Sequence, residues 1–262
     1  MIVAALTATL LSAASAPPSP WPKGVGLPPG EPVSEEYRLR FGECDDAGTW
    51  RGQPGRYTRG CGGDRNAVTA LRRLPGGAIG FVSKLAVDLD GSAFACGPDR
   101  GRMDQCPTSL MLPGPDGAEV PVDADVVPYV VIPSRDTPDE PSEFGRLTGV
   151  HVGDFGVVIA NGRTVPVIVA DTGPYPKLGE GSLALHRALG HEQCTERRGG
   201  VCSAVPHEGD SIGGDVTTIL FPGSAREGLT PATIADVTRT EGLRRWRALR
   251  SAVGAVPAGA SR

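Results

Sequence analysis

The sequence has no Cys-x-x-Cys pair and only 4 histidines, which removes the usual zinc ligand patterns. Its 26 basic residues stand against 30 acidic ones for a net charge of −4. This mildly acidic balance argues against the footprint of a nucleic-acid binder, which needs clustered Lys and Arg. Beyond the first 16 residues no apolar run approaches the roughly 20 residues that a membrane-spanning helix needs. Long stretches of helical periodicity are scarce, and no internal repeat is visible.

What is there fits one domain with a sizeable core, because 39% of the residues are apolar and the chain has 262 residues. A glycine count of 37 and a proline count of 25 favour short strands joined by many turns. Six segments read as strands: Ile79–Val87, Leu110–Leu112, Val126–Ile132, Val150–Ile159, Val165–Ala170 and Val216–Phe221. Asn161-Gly162, between the fourth and fifth, is the strongest hairpin signal in the chain. A short helix-like piece covers residues 66–73. From Pro231 to Ser251 an imperfect stripe of Ile234, Val237, Leu243, Trp246 and Leu249 predicts a C-terminal helix, with Gly242 as the point where it could break. The fold expected is mainly β: a compact six-stranded barrel of the double-psi type, one short helix after Glu180 and a C-terminal helix.

Residues 1–16 read as a signal peptide, an Ala/Leu-rich run ending in Ala-Ser-Ala. Residues 17–33 read as a Pro/Gly-rich linker, 34–77 as an elaboration holding a disulfide, 78–224 as the main domain, and 225–262 as the final helix and tail. All six cysteines follow the apolar leader. An even count in an exported chain implies disulfides, of which six cysteines allow 15 pairings. Proximity favours Cys44–Cys61, Cys96–Cys106 and Cys194–Cys202.

The chemistry concentrates in residues 164–190. An apolar strand delivers Asp171 into a turn of Thr172, Gly173, Pro174 and Pro176, and Glu180 follows between two glycines. Two acids on either side of a rigid turn, at a strand end, are how a chain places an acid and a base around one bond. A bland account competes, in which Asp171 caps the turn and Glu180 is solvated. Asp88 and Asp90 alternate on a strand and share a face. They either shape an Asp-Gly turn or line the substrate site, where they bind ammonium groups or tune the acids by like-charge repulsion. Tyr129 is a stacking candidate or a buried strand tyrosine. Tyr175, in the turn, is the better stacking candidate. His207 either contacts the site or is a surface loop residue. No Gly-x-Ser-x-Gly elbow surrounds Ser182, which fits a helix N-cap.

The Asp171-Thr172 turn followed by Gly179-Glu180-Gly181-Ser182 resembles glycoside hydrolase family 75, the fungal-type chitosanases and their bacterial relatives. Residues 80–91, 126–133 and 214–224 resemble, in order, the family's strand into an Asp-x-Asp-Gly turn, its Pro-Tyr-Val-Val-Ile-Pro strand and its closing strand. The resemblance implies an inverting hydrolase with Asp171 as base and Glu180 as acid. The residues alone leave those roles exchangeable. The Thr-Gly-Pro-Tyr-Pro turn is that of the bacterial branch.

The expectation is a secreted, monomeric endo-glycosidase cutting β-1,4 bonds of chitosan, with a polysaccharide partner and no cofactor, metal, nucleic acid or membrane. Two other readings stand beside it: action on peptidoglycan glycan strands, and a non-catalytic carbohydrate- or cell-wall-binding barrel.

Overall fold

The computed structural model describes residues 27–42, 49–50, 53–54, 68–97, 105–134, 142–173, 177–205 and 211–254. Six strands close on themselves: β1 (Ile79–Asp88), β2 (Tyr129–Pro133), β3 (Phe155–Ala160), β4 (Arg163–Gly173), β5 (Glu180–Ser182) and β6 (Ile212–Phe221). Their order is β1-β5-β2-β4-β3-β6, and β6 returns to pair with β1. The β1–β5 and β2–β4 pairs are parallel and the other four antiparallel. Closure leaves the ring itself no free edge, which removes the commonest route to strand-to-strand aggregation. The expected mainly β, six-stranded barrel is what forms.

Alternation along the strands sorts side chains into layers. Ile79, Phe81 and Leu85 of β1, Val130 and Ile132 of β2, and Val165, Val167 and Val169 of β4 meet in one core. The residues between them, including Tyr129, Val131, Ile168 and Ala170, form a second layer on the outer face under Leu112, Val122 and Val127. Asn161-Gly162 turns β3 into β4 as expected. Both residues have positive φ (51° and 71°), as a type I′ hairpin requires.

Among the described residues there are five α-helices: α1 (Glu35–Arg40), α2 (Ala93–Cys96), α3 (Glu143–Thr148), α4 (Leu183–Ala188) and α5 (Ile234–Gly254). The C-terminal helix runs through Gly242 without a break. A Cβ there would lie 2.8 Å from the Gly156 carbonyl oxygen and 2.8 Å from Pro166 Cβ. The glycine is therefore what lets α5 press onto β3 and β4, where Trp246 and Leu249 cover Val157, Ile159 and Ile219.

Two strand expectations are corrected. Leu110–Leu112 does not enter the barrel: Met111–Pro113 pairs with Glu119–Pro121 in a separate two-stranded sheet laid over the outer layer. The sixth barrel place belongs to β5, a segment that no strand expectation covered. The helix-like piece ending at Arg73 is instead, over Ala70–Arg73, a strand antiparallel to β1. Cys96–Cys106 and Cys194–Cys202 form as proximity suggested. Cys44 and Cys61, residues 1–16 read as a signal peptide, Tyr175 and His207 lie outside the described residues. Among the described residues no helix is long and apolar enough to cross a membrane.

Candidate active site

The site is built by an irregularity in β4. Strict alternation after Val167 and Val169 would send Asp171 into the barrel. The pairing with β2 slips at this point: Val169 stands opposite Val130, yet Asp171 stands opposite Val131. Ala170 is thus an extra residue, a bulge that turns Asp171 onto the outer face. On the other side of β2, Gly181 pairs antiparallel with Val130. Glu180, one residue earlier, therefore comes opposite Val131 as well. The two carboxylates flank one valine on the same face. With neighbouring strands 4.7–4.9 Å apart, their backbones lie roughly 9–10 Å from each other.

Gly173 shows which way Glu180 leans. A Cβ built there would lie 3.1 Å from Val131 Cγ1 and 3.2 Å from Glu180 Oε2. The Glu180 carboxyl therefore reaches across Val131 toward β4, into space that only a glycine leaves open. Lys177 Nζ donates to Glu180 Oε1 at 2.7 Å, so a cation sits beside this acid.

Asp171 is 5% exposed. Its Oδ1 accepts from Ser109 N (2.9 Å), Ser109 Oγ (2.7 Å) and Thr172 N (2.7 Å). Asp88 and Asp90 converge on it, since one carboxylate oxygen from each of the three lies within 4.8 Å of the others. Asp88 Oδ1 accepts the Asp90 N–H at 2.9 Å. Three carboxylates so close repel one another, and these donors offset the repulsion. Among the described residues this trio is a group whose carboxylates could hold a hard cation.

Asp88 ends β1 and Asp90 stands in the turn after it, so strand alternation does not bring them together; both are buried and converge on Asp171. Tyr129 does not serve as a stacking platform. It is fully buried, and its hydroxyl donates to the Asp90 carbonyl at 2.9 Å, so it holds the aspartate turn in place. Ser182 is the N-cap expected, accepting from Leu185 N. It also accepts from Tyr129 N and donates to Val127 O, which ties β5 to the start of β2.

Two clamps hold the surroundings. Burial opposes ionisation of Asp125, yet Arg197, Arg187 and the Cys202 N–H outweigh it and keep the carboxyl below its ordinary range. This fastens α4 to the hairpin closed by Cys194–Cys202. Burial drives the His186 imidazole down to about 4, against the pull of its bond to the Ala86 carbonyl.

Ser109 and Lys177 went unread in the sequence, and Gly173 was read only as part of the turn. Lys177 lies three residues before Glu180 and could have been found by looking for a charge partner. Ser109 is 62 residues from Asp171 and carries no local signal. Among curated proteins none matches the chain. The family model described as fungal chitosanase of glycosyl hydrolase group 75 matches residues 85–245, from β1 into α5 and over every carboxylate of the site. The chain belongs to glycosyl hydrolase group 75, the fungal chitosanase family, and is a glycosidase of chitosanase type acting on a polysaccharide.

Proposed function

We propose that the protein is an exported endo-acting chitosanase that cuts β-1,4 bonds between glucosamine units with inversion. The observation that carries this is the placing of Asp171 and Glu180 on one face, on either side of Val131. Backbones roughly 9–10 Å apart, with Glu180 leaning inward, suit the roughly 6.5–9.5 Å carboxylate separation that leaves room for a water. Asp171, its Oδ1 already held by three donors, takes a proton from that water as its oxygen attacks the anomeric carbon. Glu180 gives its proton to the leaving glycosidic oxygen. The shared face favours an enzyme over a binding barrel. Export is supported by the apolar leader in the sequence and by two disulfides among the described residues.

Asp171→Asn and Glu180→Gln should each lower hydrolysis by about 10²–10⁴-fold with little change in melting temperature. More than a tenth of the wild-type rate in either folded variant would remove the assignment.

Lys177 favours a second reading. Its ammonium beside Glu180 would repel a glucosamine ammonium but not an N-acetyl group. Peptidoglycan strands, which carry N-acetyl groups, would meet no like charge there. Reducing-end release from chitosans of graded acetylation, with peptidoglycan and carboxymethyl cellulose alongside, separates the two.

A further inference from the structure

We infer that Ser109 is the positioning residue for Asp171: it fixes Oδ1 and so commits Oδ2 to the attacking water. This rests on the assignment of Asp171 as the base.

The hydroxyl of Ser109 carries one proton. A carboxylate only accepts, so that proton goes to Asp171 Oδ1 at 2.7 Å. The 2.8 Å contact between Ser109 Oγ and Thr172 Oγ1 must then be donated by Thr172. A directed chain results, from Thr172 hydroxyl to Ser109 hydroxyl to Asp171 Oδ1. The Ser109 and Thr172 N–H groups add their bonds to the same oxygen. Among the described residues the donors to Asp171 all land on Oδ1. With that oxygen pinned, the carboxylate plane is set and Oδ2 is the one left to receive a proton. A general base must hold its accepting atom within hydrogen-bond reach of the water, and a small rotation of the carboxylate would lose that alignment.

Ser109 is itself well anchored for the task. Leu110 N donates to the Ala170 carbonyl at 2.8 Å, beside the bulge that aims Asp171. Thr108 Oγ1 donates to the Leu110 carbonyl and accepts from Val122 N. Three residues upstream, Cys106 is bridged to Cys96, and its carbonyl accepts from Gly91 N next to Asp90. The residue is exposed while Asp171 is nearly sealed, so the clamp sits at the boundary where substrate and water arrive. A chain segment brought from 62 residues away and bonded twice to one carboxylate oxygen fits orientation better than general packing.

The test uses the full-length protein on soluble chitosan. Ser109→Ala keeps the backbone donor and loses the hydroxyl, and Ser109→Thr keeps both. The alanine variant should lose about tenfold in kcat, with KM and melting temperature close to wild type, and threonine should restore kcat. Unchanged kcat in the alanine variant overturns the inference. So does a parallel rise in KM and fall in melting temperature that accounts for the loss, or a threonine variant as slow as alanine. Asp171→Asn is measured in parallel. If it stays active, the base assignment fails and this inference with it. If it is inactive while Ser109→Ala matches wild type, only the role of Ser109 fails.

Discussion

Gly173 decides how close the two acids can work. Its side-chain position is occupied in effect by Glu180 Oε2 and Val131 Cγ1, at 3.2 Å and 3.1 Å from where a Cβ would stand. No positive φ is required there, so alanine brings no backbone strain, and the whole effect is crowding. The flexible neighbour is the glutamate, because Val131 is packed in the outer layer with Tyr129 and Ile168. Gly173→Ala should therefore push Glu180 away from β4 and lower kcat/KM by about tenfold or more, with stability changed by less than about 1 kcal/mol. Steady-state kinetics beside a denaturation curve checks this. A variant with unchanged kinetics would show that the Glu180 carboxyl does not work from the position it holds here.

At the scale of elements, what could be read depended on how local each signal was. The Asn161-Gly162 turn, the apolar runs of β1 and β4 and the Ser182 cap are settled by residues within a few places of one another, and all formed as read. The strand β5 was missed because three residues containing Gly181 have no alternation to detect. It is held by pairing on both sides, to β1 and to β2. The bulge at Ala170 was missed because register belongs to two strands at once. The acids were legible as residues, but their common face was not. Tyr129 could be read as buried or stacking, and only its bond to the Asp90 carbonyl decides. Gly242 shows the same limit. Propensity alone says that alanine in a helix is better by about 1 kcal/mol. Here the added methyl would meet the Gly156 carbonyl and Pro166 at 2.8 Å, and backbone cannot step aside as a side chain can. Gly242→Ala should thus destabilise the protein, by about 1–3 kcal/mol, measured by urea unfolding. A gain in stability would mean that α5 rides loosely on the barrel.

For the whole molecule, His186 is the buried group expected to weaken the fold toward acid. The ring is fully buried, and Nε2 lies 3.0 Å from the Ala86 carbonyl, which makes Nε2 the protonated nitrogen. Nδ1 then faces the Gln193 amide nitrogen at 3.5 Å, a donor that suits the neutral ring and conflicts with a second proton. The His191 ring, 5.7 Å away, adds further opposition to charge. With the folded value lowered from 6.5 to about 4, the imidazole is neutral in both states above pH 6.5, and its contribution is then complete. As pH falls from 6.5 toward 4 the unfolded chain takes up the proton first, and stability is lost, by up to about 3 kcal/mol at pH 4. The loss bears on function because Ala86 stands opposite Glu180 in the β1–β5 pairing, and α4, which carries His186, begins directly after β5. Charging the ring loosens the strand that holds the acid. Melting temperature should fall between pH 6.5 and pH 4, and His186→Gln, which cannot charge, should flatten that slope even if it melts lower at pH 7. The carboxylates are common to both proteins, so equal slopes would show that His186 is not the group responsible.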